Sequence, residues 1–366
     1  MSIQTIREMY RYNEWANDVV LGVASELSDA LLDQQYEIGP GLIREALRHI
    51  YFAERIWGVR VGCADAEALP SPESLHSVSE VRTAISALAD VRARWLQSVD
   101  SEALDRMVEY RDMKGNPWRN PLRDILMHGC NHGIHHRAQV ANMISRGGRK
   151  LSNIDYLFMR VARPTVRIAD ASTREKLEKF GRQVGLELDT SCGFEVAALQ
   201  TYFTYSDWAS GLVLDAAAGL SDAALDRRFD IGLGSIRRTL LHLQAADQNW
   251  LENWTQGSKP GFHELPKETT ITELREQWSR SMAGRNEYIS KQTDESLMKE
   301  ILAQPAEGIR LFFRLGESML QLCVHATLHR AQIVNMLRHS GVTIGTLDLI
   351  AWSRRQHAAS VHARPN

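Results

Sequence analysis

Cysteine is scarce in this chain, and its four cysteines stand far apart, at Cys63, Cys130, Cys192 and Cys323. None forms a CxxC pair, the spacing typical of thiolate zinc sites and of dithiol redox sites. The pattern therefore argues against a disulfide framework and against a cysteine-ligated metal. It suits a protein of the reducing cytoplasm.

The chain also lacks a strong charge of one sign and a long apolar run. Its formal net charge of −2 provides no field that would draw it to nucleic acid or to an anionic lipid surface. No stretch reaches the roughly 18 apolar residues of a membrane span. The N-terminal sequence MSIQTIREMYRYNEWAND has no apolar signal-peptide core. We therefore predict a cytoplasmic protein that binds neither nucleic acid nor membrane.

What the chain does have is an internal repeat. The phrase NHGIHHRAQVANM at 131–143 returns as VHATLHRAQIVNM at 324–336, so that His325 follows His132 by 193 positions. The same offset aligns LSDALLD at 27–33 with LSDAALD at 220–226, and Asp155 with Asp348. A constant offset over this length indicates a tandem duplication.

A chain of 366 residues is long enough for two such domains. We place the first domain at 1–163, a linker at 164–190, the second domain at 191–356, and a flexible tail at 357–366. Pro164 interrupts regular structure at the start of the linker. The tail is assigned because it shows no apolar period.

Each half predicts four helices. In the first half, apolar spacing and turn residues place them near 3–26, 42–61, 77–99 and 120–146, with a short hairpin or irregular excursion around 114–115. The third helix opens with the capping box SVSE, and its counterpart in the second half opens with TITE. The predicted fold is all-α, with two tandem four-helix bundles arranged as an internal pseudo-dimer.

Pairs of histidines four residues apart recur in the last helix of each half: His132 with His136, and His325 with His329. Residues at i and i+4 share one face of a helix, so each pair can present two imidazoles to one metal ion. A third ligand must come from another helix. His49 is the natural candidate in the first half, and His242 is its counterpart at the same offset.

Other histidines are not repeated: His128 aligns with Gln321 and His135 with Leu328. Divergence between the halves has therefore kept the two triads. The alternative, a duplicated structural core with hydrogen-bonded histidines, stays open at this point.

The helix-two phrase HIYFAERIW, the helix-four phrase HGCNHGIHHRAQVANMISRGG, the opening NEWAND and the closing SNIDYL together resemble the DinB-like superfamily. The resemblance covers nearly all of both halves. It implies a four-helix bundle that binds a divalent ion, zinc, nickel or iron, through one helix-two histidine and two histidines of the last helix. The ligands carried over are those of the two triads: His49, His132 and His136, and His242, His325 and His329.

The resemblance also implies chemistry. Members with known activities depend on thiols: some transfer bacillithiol, mycothiol or glutathione, and one group isomerises maleylpyruvate. Because members often form homodimers, a tandem chain is expected to form an internal pseudo-dimer. A low-molecular-weight thiol is thus a candidate cofactor and a small electrophile a candidate substrate.

Three histidine ligands leave a metal ion with open positions, which is typical of a catalytic site. The zinc-protease pattern HExxH is absent, because Gly133 stands where the base would lie. Two acids, Glu54 and its counterpart Asp247, are therefore candidate catalytic groups.

Further candidates are also repeated. Arg137 and Arg330 follow the last ligands and could bind a carboxylate of the substrate or thiol. A second acidic pair, Asp124 and Glu317, is repeated as well, and these two acids could orient the histidines, as could Glu54 and Asp247. For each of these residues, a surface charge or an ion pair to a neighbouring helix is the alternative.

The predicted function is a metal-dependent enzyme, with thiol transfer to a small molecule favoured. The alternatives are a metal-dependent hydrolase, isomerase or lyase, and a metal-binding protein without catalysis. Around the triads the first half is more polar, since Tyr51 aligns with Gln244 and Asn131 with Val324. We therefore expect the first half to carry most of the turnover.

The first testable expectation is two metal ions per chain. Protein purified without chelator should contain close to two divalent ions by elemental analysis, because each half carries a complete triad. Replacing His242, His325 and His329 together with alanine should halve that content. Full metal content in this triple variant would rule out the second centre.

Overall fold

The computed structural model describes residues 3–162, 167–168, 193–257, 263–306 and 309–362. It divides into two compact units. The first comprises Met1–Ser152 and Gly345–Asn366, and the second comprises Asn153–Ile344. In the described part of the chain, no helix is both long and apolar enough to cross a membrane.

The first unit contains a bundle of four long helices, which pack through their apolar faces. They are α1 (Ile3–Ala24), α3 (Ile43–Val61), α4 (Val78–Ser98) and α5 (Leu122–Arg146), with the short α2 (Asp29–Leu32) ahead of α3. Their core includes Ile6, Leu47, Leu88 and Val140, all close to fully buried. The predicted capping box is present, since Ser77 Oγ accepts from the Glu80 amide at 3.2 Å.

A β-hairpin joins α4 to α5 in this unit. Strand β1 (Met107–Arg111) pairs antiparallel with β2 (Pro117–Pro121), placing Tyr110 opposite Trp118. Gly115 adopts a φ of +83° in the connecting turn, which suits glycine. The hairpin predicted around 114–115 is therefore present.

The second unit repeats this arrangement. Its described elements include α7 (Val196–Ala218), α8 (Asp222–Leu225), α9 (Ile236–Gln256), α10 (Ile271–Ser290) and α11 (Leu315–His339). Between α10 and α11, strand β4 (Glu300–Ala306) pairs with β5 (Ile309–Arg314), and β3 (Arg167–Ile168) pairs antiparallel along the other edge of β5. The all-α prediction of two tandem four-helix bundles is confirmed.

One further helix follows the long last helix of each repeat, and it belongs to the unit built around the other repeat. Helix α6 (Tyr156–Ala162) lies in the second unit, and α12 (Leu349–His362) lies in the first. Neither short helix was predicted. The two compact units are therefore not continuous in sequence. Residues 153–162, predicted as part of the first domain, group with the second unit, and residues 345–356, predicted as part of the second domain, group with the first.

The second predicted acidic pair, Asp124 and Glu317, holds these two helices. Asp124 Oδ2 accepts from Ser353 Oγ at 2.5 Å, and Glu317 Oε1 lies 2.7 Å from Arg160 Nε. Both acids are buried and contact the helix that follows the last long helix of a repeat, and their orienting role toward the triad histidines stays a prediction.

The predicted linker 164–190 lies outside the described residues except for 167–168. Helix α12 extends to His362 and so covers part of the range predicted as a tail. The exact domain boundaries stay a prediction.

Candidate metal centres

Three histidine rings meet in the first unit. His49 projects from α3, and His132 and His136 project from one face of α5. One ring nitrogen from each lies within 4.8 Å of the others. The Nε2 atoms of His132 and His136 are 3.1 Å apart. Two nitrogens bound about 2.1 Å from one ion at a right angle would lie about 3 Å apart, so this pair has the spacing of two ligands to one ion.

The second unit contains the matching group. His242 comes from α9, and His325 and His329 come from α11, again with one nitrogen of each within 4.8 Å of the others. The Nε2 atoms of His242 and His325 are 3.0 Å apart. Within the described ranges, these two triads are the sites where three or more histidine, cysteine or acidic side chains could share an ion. In each unit, the structure thus brings together the three histidines that the sequence predicts as metal ligands.

Burial favours the neutral, metal-binding form of three triad imidazoles, those of His132, His136 and His329. Desolvation, followed by neighbouring histidines, lowers the pKa of His132 and His136 well below the ordinary value. The same causes lower the pKa of His329 to about 3. A neutral imidazole has a lone pair to donate, so these rings fit a divalent cation without losing a proton first.

A glutamine one turn farther along the helix sets the orientation of one ring in each triad. The Nδ1 atom of His136 lies 2.8 Å from Gln139 Oε1, and that of His329 lies 2.9 Å from Gln332 Oε1. An amide oxygen only accepts, so the ring proton stays on Nδ1. The Nε2 lone pair is consequently left to face the other histidines.

The glutamine can reach this position because a glycine lies opposite. A Cβ atom on Gly39 would meet Gln139 Oε1 at 2.2 Å, and one on Gly232 would meet Gln332 Oε1 at 2.1 Å. Both glycines also have positive φ values, +52° and +51°. The loop before the triad helix, α3 in the first unit and α9 in the second, therefore needs glycine for two reasons. Its turn requires a positive φ, and the glutamine side chain fills the space that a Cβ atom would occupy.

Glu54, predicted as a catalytic acid, lies in a buried network. Its Oε1 accepts from the side-chain amides of Asn13 and Asn17, each at 2.8 Å. Its Oε2 accepts from Arg92 Nη1 at 2.7 Å. Burial alone would raise the pKa of Glu54, but the Arg92 guanidinium and the two amides hold it below the ordinary value. These contacts give Glu54 a place in the bundle core.

Asp247 occupies the corresponding position in the second unit. Arg285 Nη1 donates to both of its oxygens, at 2.8 and 2.6 Å, and Trp278 Nε1 donates at 2.9 Å. Arg285 also reaches Asp207 at 2.5 Å. The acid–arginine pair is therefore present in both bundles, and catalytic roles for Glu54 and Asp247 stay predictions.

Arg137 and Arg330, predicted to bind a carboxylate, are both buried between helices. Arg137 Nη1 donates to the side-chain oxygens of Asn13 and Asn17, at 2.6 and 2.8 Å. Arg330 Nη1 donates to the Ser206 hydroxyl at 2.8 Å. Each arginine joins the last helix of its bundle to the first helix.

Two polar residues flank the first triad and have no histidine counterpart in the second. The ring centroid of His128 lies 5.5 Å from that of His132, and that of His135 lies 5.1 Å from that of His136. Tyr51 is directed elsewhere, since its hydroxyl donates to the Pro70 carbonyl at 2.8 Å.

The sequence analysis did not predict Asp155 as a site residue and used it only to align the two repeats. Asp155 Oδ2 lies 3.1 Å from His325 Nδ1. Its recurrence as Asp348 was the available signal, but the sequence does not reveal which bundle either acid faces.

Comparison with known proteins agrees with this geometry. A family model described as the DinB family matches residues 1–169 and again 195–358. The chain belongs to the DinB family. Each matched region contains one complete histidine triad, so the protein carries two tandem DinB domains. Protein DinB of Bacillus subtilis (strain 168) is 25% identical over 161 residues, which cover 42% of this chain and 93% of that protein. No solved structure matches the chain.

The contacts of Glu54 in the first DinB domain predict a loss of stability when the carboxylate is removed. Glu54→Gln removes the closer of two carboxylates that Arg92 contacts, Glu54 at 2.7 Å, and leaves the more exposed Glu14 at 3.4 Å. The loss should cost about 3–5 kcal/mol in the free energy of unfolding, because Arg92 is a buried charge. Because the folded-state pKa of Glu54 is depressed, its contribution is present above the unfolded-state pKa and is lost as the pH falls through the folded-state pKa. The variant should therefore lose less stability than the wild type on acidification.

Chemical denaturation at neutral and acidic pH provides the measurement. Glu45→Gln is the matched control on the same helix, because its partner Arg48 is a surface contact. Unchanged stability of Glu54→Gln, combined with lost turnover, would support the catalytic assignment instead.

The loop glycine yields a second prediction for the first DinB domain. Gly39→Ala should displace Gln139 and so weaken metal binding at the first centre by about 10–100-fold, the range typical for loss of an outer contact to a ligand. Competition with a chromogenic chelator measures the affinity of each centre.

Gly62→Ala is the control for this experiment, since Gly62 has a φ of +78° and nothing within 4 Å of the added methyl group. It carries a comparable backbone strain of about 1–2 kcal/mol. Equal metal affinity in the two variants would contradict the role of Gln139.

Proposed function

We propose that this chain is a metal-dependent enzyme of the DinB family that holds one divalent ion in each bundle and transfers a low-molecular-weight thiol to a small electrophile. The observation that carries the proposal is the convergence of three imidazoles in each bundle, with ligand atoms within 4.8 Å of one another. Zinc, nickel and iron are the ions proposed, since imidazole nitrogen suits each of them.

The composition of the ligand set favours thiol chemistry. Three neutral ligands leave the full charge of the ion uncompensated, so a bound ion would lower the pKa of a thiol and make it a nucleophile near neutral pH. The chain itself fixes the rings, through Gln139 on His136 and Gln332 on His329.

The residues predicted as catalytic enter this proposal as positioning residues. Glu54 and Arg137 tie α3 and α5 to α1 through Asn13 and Asn17, and so hold the helices that carry the first triad. In the second bundle, Arg330 ties α11 to α7 through Ser206, and Asp247 ties α9 to α10 through Trp278 and Arg285. Their contacts support a role in holding the triads, with substrate bound on the open side of the ion.

The first bundle is proposed to carry most of the turnover. His128 and His135 flank its triad, whereas Gln321 and Leu328 stand at these positions in the second. Polar groups beside an open metal position help to orient a substrate. A small-molecule substrate, an internal pseudo-dimer and a cytoplasmic location remain part of the prediction.

Cobalt substitution tests thiol binding without knowledge of the electrophile. Addition of glutathione or another low-molecular-weight thiol to the Co²⁺-loaded protein should produce a sulfur-to-cobalt charge-transfer band in the near ultraviolet. His136→Ala should remove more thiol-dependent turnover than His329→Ala, and the double variant should lose both the band and the turnover.

The alternatives give different outcomes. Metal-dependent turnover without thiol would favour a hydrolase, isomerase or lyase. Bound metal with neither a thiol band nor turnover would indicate a metal-binding protein. Greater loss in His329→Ala would show that the second bundle is the more active one.

A further inference from the structure

We infer that each metal centre is completed by an aspartate from the other repeat: Asp155 of the first repeat positions His325 of the second centre, and Asp348 of the second repeat serves the first centre. This inference rests on the proposed metal centres. It adds a carboxylate to each site and makes each site depend on both copies of the duplicated sequence.

The segment that follows the last long helix of each repeat lies in the unit that contains the triad of the other repeat. From Asn153 onward the chain after α5 belongs to the unit that contains the second triad, and from Gly345 onward the chain after α11 belongs to the unit that contains the first. Helix α6 begins at Tyr156 and α12 at Leu349, which are equivalent positions at the repeat offset of 193. The two repeats thus send the same segment to the opposite unit.

Anchoring contacts show that the two segments dock in the same way. Position 160 of the first repeat corresponds to 353 of the second, and 124 corresponds to 317. Arg160 lies 2.7 Å from Glu317, and Ser353 donates to Asp124 at 2.5 Å. Equivalent positions therefore meet in both units, although the side chains at 160 and 353 differ in chemistry.

Docking places Asp155 against the second triad. The residue is only 8% exposed. Its Oδ2 lies 3.1 Å from His325 Nδ1. Its other oxygen is buried and has no hydrogen-bond partner among the described residues.

A carboxylate on Nδ1 has a defined effect on a histidine ligand. It holds the ring proton on Nδ1, fixes the ring plane and makes Nε2 a stronger donor. His325 Nε2 is the atom that lies 3.0 Å from His242 Nε2. Asp155 therefore acts on the second centre through His325, as a positioning residue.

Asp348 stands at the equivalent place in the first unit, in a looser form. Asp348 directly precedes α12, which belongs to the first unit and docks there through the hydrogen bond from Ser353 to Asp124. The side chain of Asp348 is partly exposed. We therefore expect the second centre to depend on its aspartate more strongly than the first centre does.

The test measures the affinity of each centre separately. His136→Ala disables the first centre and leaves the second, and His329→Ala does the reverse. Chelator competition with Zn²⁺ and the visible spectrum of bound Co²⁺ then report on one centre at a time. Asp155→Asn should weaken the second centre by about 10–100-fold and shift its cobalt spectrum. It should leave the first centre unchanged.

Asp348→Asn should affect the first centre alone, by a smaller factor. Asp155→Glu should recover part of the affinity of the second centre, because it restores the carboxylate. A change at the first centre on replacing Asp155, or an unchanged second centre in correctly folded Asp155→Asn, would overturn the inference. Absence of bound metal in the wild-type protein would instead overturn the proposed metal centres.

Discussion

Three imidazoles can share one ion only when each ring presents a lone pair to the same point, and that requires the opposite nitrogen of the ring to be held. The rest of the site follows from this constraint. Gln139 and Gln332 hold one ring in each bundle, and Asp155 holds a second ring in one of them. Gly39 and Gly232 leave the space that the glutamines occupy. Burial lowers the pKa of His132, His136 and His329 and so favours their neutral form.

Much of the fold could be predicted because its signals are local. The apolar period, the capping boxes and the turn glycines place the long helices within a few residues of their observed ends, as α3 (Ile43–Val61) shows. The duplication identified the third ligand of each site, which a single histidine pair could not, because His49 and His242 are separated by the repeat offset. Both were then found beside the predicted pairs.

The parts that could not be predicted depend on contacts between distant residues. From the sequence, the repeated acids Glu54 and Asp247 are equally consistent with a catalytic group and with one half of a buried ion pair. Only the positions of Arg92 and Arg285 distinguish the two. The segment after the last long helix has no pattern that tells which bundle it joins, so the place of Asp155 was open. In both cases the repeat identifies the residue, but the sequence does not show which side chains surround it.

The crossed segments have a consequence for the history of this chain. A lone copy of the repeat that ended before α6 would keep its three histidines, but its unit would lack the short helix that the other copy supplies. Loss of either repeat would therefore remove a helix from the unit that remains. Substitutions at 153–162 and at 345–362 are expected to affect the unit that contains the triad of the opposite repeat.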